Sequence, residues 1–155
     1  MTIGGYDFVL ASAIEVRRDE LGAPVLCSPS TRYNNHRNLK LNKYGDGPFV
    51  FLQLSPLPAD QGVYAVVADN GQVFYIGQSA DTIRKRWQMG YATIQPRNCF
   101  EGGQSTNCRV NNLIYRAIKE GRHLELYLIL TPEFDAIEKE LIAQYQPPWN
   151  IQGTY

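Results

Sequence analysis

The sequence predicts a small mixed α/β domain on three observations: an apolar hairpin over residues 62–78, an apolar strand at Leu124 to Leu130, and a helix bounded by Thr131 and Pro147. Gly62 to Ala68 is β-branched and aromatic, Asn70-Gly71 is a strong two-residue turn, and Gln72 to Gln78 is the return strand. With Asn70 and Gly71 as the turn, opposed positions sum to 141. Tyr64 then faces Gly77 and Val66 faces Tyr75. Both tyrosines project from one face as diagonal neighbours, close enough to serve one site.

The other elements follow in order. Thr82 or Asp81 can cap a helix running to about Tyr91, with Ile83 and Trp87 four apart on its buried side and Arg86 flanking that face. Gln95 to Asn112 reads as a long polar loop, because Gly102-Gly103-Gln104-Ser105-Thr106-Asn107 offers nothing to a core. Asn112 to Glu120 reads as a helix stopped by Gly121, and Leu124 to Leu130 is apolar enough to be a central strand. Thr131-Pro132-Glu133 supplies a capping hydroxyl, a proline in the first turn and an acid at the positive end of the helix dipole. Pro147-Pro148 stops that helix. Before Gly62, Pro24, Pro29, Pro48, Pro56, Pro58 and Gly45-Asp46-Gly47 break the chain into short pieces, with Phe49 to Leu54 as one strand. The expected division is an N-terminal extension over residues 1–61, wrapped on a core domain over 62–155.

One residue of the last helix is out of place. At about 100° per residue from Phe134, Ile137, Leu141, Tyr145 and Ile142 form an apolar stripe, and Glu138 falls inside it. Glu133 and Glu140 lie on the opposite side, where solvent is expected. A carboxylate on a core-facing stripe costs several kcal/mol unless it is paired or binds a cation. Glu138 is therefore either the partner of a rim arginine or a metal ligand or general base at the floor of a cleft.

Composition narrows the partners. The chain has 155 residues, 44 % of them hydrophobic, so disorder is excluded, and its longest apolar runs are far short of the roughly 20 residues a membrane span needs. Residues 1–25 lack a basic start followed by an apolar run, and Cys27, Cys99 and Cys108 are an odd set without the paired spacing of a zinc site. A reducing cytoplasmic setting is the expectation. Fifteen basic residues balance fifteen acidic ones, which at first argues against a nucleic-acid partner. The balance is local, however. Residues 84–123 hold eight basic and two acidic side chains, a net of +6, while 1–83 carry −2 and 124–155 carry −4. A basic middle of that size is the footprint of a polyanion. A second patch, Arg32, Arg37, Lys40 and Lys43, meets no acid and is interleaved with Tyr33, Asn34, Asn35, His36, Asn38 and Asn42.

The hairpin reads Gly62-Val63-Tyr64, ten residues, then Tyr75-Ile76-Gly77, with Arg86-Trp87 downstream and Glu138 followed twelve residues later by Asn150 in Pro-Pro-Trp-Asn. This order and spacing resembles the GIY-YIG nuclease family over residues 62–150. The resemblance implies a central three-stranded antiparallel sheet flanked by helices, and a metal-dependent endodeoxyribonuclease leaving 5′-phosphate and 3′-hydroxyl ends. It implies that Tyr64 and Tyr75 line the site, with Tyr64 best placed to orient or deprotonate the attacking water. Arg86 would stabilise charge on the scissile phosphate. Glu138 would hold one divalent cation, Mg2+ with Mn2+ as its substitute, and Asn150 would fix the geometry around the phosphate or the closing strand. Arg84 is the rival of Arg86, which is preferred because it directly precedes the Trp87 anchor.

Two departures matter. Many family members place a histidine about four residues after the arginine; here Gly90 stands there, followed by Tyr91, so the general base remains open between Tyr64, Tyr91 and another residue. The insert at 95–112 resembles that of stand-alone members, the phage endonuclease II type and the GIY-YIG restriction enzymes. In an extended insert Asn107, Arg109 and Asn111 would face one way, toward DNA. The expected partner is double-stranded DNA. Its contacts are Arg84, Lys85, Tyr91, Arg97, Gln104, Asn107, Arg109 and Asn111, with Arg32, Arg37, Lys40 and Lys43 of the extension. A sequence-selective restriction or phage enzyme is the preferred type, in a bacterial or phage-infected cell, acting as a homodimer or higher oligomer for double-strand breaks. The alternatives are a nicking or single-strand-specific nuclease, and an inactive DNA-binding module.

Overall fold

The hairpin forms, but around a different turn. In the computed structural model, which describes residues 1–151, Ala68 N–H donates to Gln72 O and Gly71 N–H to Ala68 O, both at 2.9 Å. The loop is therefore Asp69-Asn70-Gly71, with Gly71 in the left-handed region (φ +83°) that glycine enters freely. This longer loop sets Val67 opposite Val73. A bulge at Phe74 then takes up one residue, so that Val66 faces Tyr75 and Tyr64 faces Gly77 as the sequence predicts.

Nine strands and three α-helices are present among the described residues. The strands are β1 (Thr2–Ile3), β2 (Tyr6–Asp7), β3 (Val9–Val16), β4 (Leu26–Cys27), β5 (Phe49–Val50), β6 (Leu52–Gln53), β7 (Gly62–Ala68), β8 (Val73–Ser79) and β9 (Leu124–Leu130). The helices are α1 (Ile83–Arg86), which continues as a π turn over Trp87–Tyr91, α2 (Ser105–Lys119) and α3 (Phe134–Tyr145). Among the described residues no helix is long and apolar enough to cross a membrane. Contacts divide the chain into two compact units, and the division does not follow a cut at residue 61.

The first unit contains residues 1–14, 54–86 and the chain from Gly121. Its sheet runs β3, β9, β7, β8, antiparallel throughout. The last three of these are the expected sheet. The first, β3, lies in the stretch expected to be irregular, where Ala11, Ser12 and Ala13 dilute the β-branched signal of a strand. Helix α3 packs on one face of the sheet: Ile137, Leu141 and Ile142 meet Val63, Ala65, Val67 and Ile76, together with Ile3 and Phe8 from the chain's beginning. Burying each such side chain stabilises the unit by about 1.5–3 kcal/mol. The start of α3 is held as expected, with Thr131 Oγ1 accepting from Glu133 N–H at 3.0 Å.

The second unit joins residues 15–53 to 87–120. Its core is Phe49, Ile94, Cys99, Phe100 and Cys108, with Tyr33, Leu39 and Tyr44 packed around it. Burial lifts the Cys27 and Cys99 thiols and pushes Cys108 up to about 12; Cys99 and Cys108 lie in this core and the partly buried Cys27 packs against it. The supposed polar loop at 95–112 is largely structured: a 3₁₀ turn at Pro96–Cys99 and then α2, which begins at Ser105 and not at Asn112. Cys108, Val110, Ile114 and Ala117 give α2 its buried stripe.

Asparagines hold this unit together. Asn111 is completely enclosed; its Nδ2 donates to Val50 O (2.9 Å) and Tyr91 O (2.7 Å) and its Oδ1 accepts from Val50 N–H (3.0 Å). Asn42 donates to Asn98 O at 2.6 Å, and Asn35 pairs with both Leu39 N–H and Leu39 O at 2.8 Å. Replacing Asn111 by alanine strands three buried polar groups, and chemical denaturation of Asn111→Ala is expected to show a loss of about 3 kcal/mol or more. Asn112→Ala gives up one exposed bond to Pro48 O and should cost under about 1 kcal/mol.

Candidate active site

Two glycines in the hairpin are fixed by close approach and not by turn geometry. A Cβ on Gly62 would collide with the carbonyl oxygen of Ile129 on β9. One on Gly77 would lie 2.5 Å from Cε2, Cζ and Oη of Tyr64, so the phenol end of Tyr64 rests on the bare Cα of Gly77. The ring thus crosses β8 from its place on β7. Tyr75 lies beside it, with ring centroids 6.3 Å apart and planes tilted by 39°. Both are buried, at 1 % and 6 % exposure, and both point away from the face that α3 covers.

Strand β8 has a partner strand on one side only, and the chain after α3 closes part of its other edge. Asn150 Oδ1 accepts from Ile76 N–H at 3.0 Å while its Nδ2 donates to Ile76 O at 2.9 Å, imitating a neighbouring strand. Trp149 N–H donates to Phe74 O at 2.9 Å, and the Trp149 ring packs on Phe74 with centroids 5.0 Å apart. Of the two readings the sequence left for Asn150, the closing strand is the one with contacts. Asn150 therefore fixes the residue between Tyr75 and Gly77.

Arg86 ends α1, which packs against β7 and β8. That helix is capped by Thr82, whose Oγ1 accepts from Lys85 N–H at 3.0 Å and whose carbonyl accepts from Ser79 Oγ at 2.9 Å. Arg86 is half-buried, whereas Arg84 is exposed and its Nε donates to Leu57 O at 2.8 Å. Helix α3 packs on the same two strands and carries Glu138. Tyr64 and Tyr75 thus lie side by side, Asn150 bonds Ile76 of the same strand as Tyr75, and Arg86 and Glu138 sit on the two helices packed against that hairpin.

Glu138 is half-buried as its place in the apolar stripe requires, and no salt bridge to it forms among the described residues. Burial, with a smaller push from Asp135, raises its carboxyl to about 7. A hard oxygen donor held reluctantly neutral fits a divalent cation well, since the ion's charge would reverse the cause of the shift. No group of three or more His, Cys, Asp and Glu gathers into a metal site among the described residues. A cation here would therefore be held through one carboxylate and keep most of its water.

Three of the expected DNA contacts do not lie on a surface. Tyr91 and Asn111 have no exposure and Asn107 has 1 %, because Asn107 and Asn111 sit one turn apart on the buried side of α2. The alternation that would present them together with Arg109 holds only for an extended chain. Tyr91 closes the π turn, where its carbonyl accepts from Asn111. Arg32, Arg37, Lys40, Lys43, Arg84, Lys85 and Gln104 are exposed, and Arg97 and Arg109 are half-buried. Sequence reasoning missed Gly77 as a platform for Tyr64, although its place opposite Tyr64 in the register was the available signal.

Gly77→Ala should displace the Tyr64 ring, which near-ultraviolet circular dichroism will register even if the far-ultraviolet spectrum is unchanged. For Glu138 the sign follows from a folded value of about 7 against an ordinary 4.5. Between those values the native state holds a proton that the unfolded chain releases, so stability falls as pH rises through this window and the full cost stands above pH 7. Glu138→Gln is therefore expected to melt above the wild type at pH 8 and to gain nothing at about pH 4. Added Mg2+ should raise the wild-type Tm at pH 8 and leave that of Glu138→Gln unmoved.

No family model matches the chain. UvrABC system protein C of Nautilia profundicola is 32 % identical over 101 residues, covering 64 % of this chain and 15 % of that protein. Among solved structures, a mutant of bacteriophage T4 EndoII superposes with a TM-score of 0.51 at 24 % identity, covering 73 % of this chain and 87 % of the other. The chain thus spans about one seventh of the length of its curated relative, while it shares the fold of most of the phage protein. A relative in sequence and a fold shared with a solved structure agree with the resemblance to the GIY-YIG family that the hairpin register carries.

Proposed function

We propose that this chain is a divalent-metal-dependent endonuclease that cuts DNA to 5′-phosphate and 3′-hydroxyl ends. The observation that carries this reading is the half-buried, unbridged Glu138 on a helix packed against the hairpin where Tyr64 lies across Gly77. In-line hydrolysis adds a water oxygen to phosphorus as the bond to the 3′-oxygen breaks; the water proton leaves to a base and the departing oxygen takes one up. Tyr64 is the candidate to orient or deprotonate that water, and Tyr75 shapes the same pocket. A buried phenol can do this only beside positive charge. Arg86 is the cation for the phosphoryl oxygens. Asn150 is a positioning residue, since both ends of its amide are spent on Ile76. Bound at Glu138, Mg2+ or Mn2+ would supply Lewis-acid charge toward the leaving oxygen.

Charge distribution supports a division of labour. The second unit carries ten basic and six acidic residues, a net of +4, and the first carries five and nine, a net of −4. Arg32, Arg37, Lys40, Lys43, Arg97, Arg109 and Gln104 belong to the second unit and are its candidate DNA contacts. Arg97 lies over the Tyr33 ring at 6.0 Å, and that ring packs on Phe100 with centroids 4.9 Å apart, which stiffens this face. Only Arg84 and Lys85 of the candidate contacts lie in the first unit, and Lys85 is already paired with Asp81 at 3.0 Å. Site selection would then rest on the second unit. Because one active site cuts one strand, double-strand breaks would need two copies.

Supercoiled plasmid with Mg2+ tests both halves. Tyr64→Phe, Arg86→Ala and Glu138→Ala should each lower cleavage by at least about a hundredfold with little change in DNA binding. Arg32→Ala with Arg37→Ala should weaken binding, reduce the salt slope by about two and leave kcat intact. Cleavage that survives Tyr64→Phe and Glu138→Ala together would overturn the site.

A further inference from the structure

The first eight residues belong to the first unit and pack in its core. They fold as the hairpin β1–β2, and several of their contacts are with α3. Gly4 N–H donates to Tyr145 Oη at 2.8 Å, and Tyr6 Oη donates to Glu140 Oε2 at 2.7 Å. Between those two bonds, Leu141 Cδ2 occupies the place where a Cβ of Gly4 would be, with Gln144 Oε1 next to it, and Gly4 has the left-handed backbone (φ +58°) that a side chain would strain. Ile3 and Phe8 complete the seam in the core with Ile137, Leu141 and Ile142.

These contacts define how α3 is set as a rigid rod. The anchors at Glu140 and Tyr145 are five residues apart, about 7.5 Å along the axis, which fixes its height. They also lie on different sides of the helix, roughly 140° apart at 100° per residue, which fixes its rotation. Glu138 lies about 160° from the Glu140 anchor, so any turn of the helix that loosens one bond carries the carboxylate with it. With side chains ending about 5–6 Å from the axis, a 10° rotation moves Glu138 by about 1 Å. A displacement of that size is enough to cost up to a hundredfold in rate when it falls on a reacting group.

We propose that the N-terminal hairpin is a positioning device for Glu138, with Tyr6 its principal positioning residue and Glu140 the receiver. The proposal rests on Glu138 as the cation ligand. It assigns Glu140 a mechanical task, although its place on the outer side of α3 reads as a solvated acid.

The test uses the whole chain with Tyr6→Phe, Glu140→Ala and Glu140→Gln, the last of which keeps an acceptor for the Tyr6 hydroxyl. Mn2+ affinity is measured by electron paramagnetic resonance, plasmid cleavage gives kcat and KM, and circular dichroism checks folding. Tyr6→Phe and Glu140→Ala should each weaken Mn2+ binding severalfold and lower kcat about tenfold at unchanged KM, with Glu140→Gln close to wild type. If Tyr6→Phe and Glu140→Ala bind Mn2+ as the wild type does, or lose activity only in proportion to lost fold, the hairpin does not position Glu138. Mn2+ binding to Glu138→Gln at wild-type strength would instead overturn the assignment of the cation ligand itself.

Discussion

The seating of the Tyr64 phenol on the bare Cα of Gly77 is the contact around which the site is arranged. A ring can cross a neighbouring strand at van der Waals distance only where that strand has no side chain, and only if the two strands are in one register. Gly62 imposes the same demand on the other side, against the Ile129 carbonyl. The two glycines therefore hold β7 between its neighbours at separations that any other residue would enlarge. Asn150, bonded to Ile76, locks the strand that must not shift. The two tripeptides are thus one steric arrangement written in two places.

Register could be read correctly from a turn that was read wrongly. Asn70-Gly71 suggested a two-residue loop, the chain uses three, and the bulge at Phe74 cancels the difference before Tyr75. Alternation pins the buried strands to one phase, because a one-residue slip would exchange Val63, Ala65 and Val67 with Tyr64 and Val66. The core left the turn to adapt. Glu138 was legible for a related reason: its angular position on α3 is set by helix geometry, and a lone carboxylate among Ile137, Leu141 and Ile142 needs a cause.

The asparagine-rich stretches were illegible because the amide that suits a base edge equally suits a backbone peptide. Asn107 and Asn111 are expected contacts for a ligand, yet they, like Asn35 and Asn42 beside the second basic patch, close a loop or join two segments of their own unit. For Asn42 and Asn111 no pattern within residues 28–50 or 95–112 reveals this, since the partners are far apart in sequence: Asn111 meets Val50, and Asn42 meets Asn98. β3 was hidden similarly. Its small residues gain strand character only from pairing with Leu124 to Leu128, over a hundred positions away. Local propensity carried the hairpin and α3, while long-range pairing carried what was missed.

The two units alternate along the chain, with passages between them after Ile14, Gln53, Arg86 and Glu120. A gene encoding such a protein has no place where one cut separates a cutting part from a basic part. A chimera made by joining the front of one relative to the back of another would combine half of each unit with a foreign half. Asn111 would then face a stranger's strand in place of Val50, and α3 a stranger's hairpin in place of Gly4 and Tyr6. Exchange of the proposed DNA preference therefore has to proceed by substitution of the exposed basic residues, or by transplanting residues 15–53 and 87–120 together.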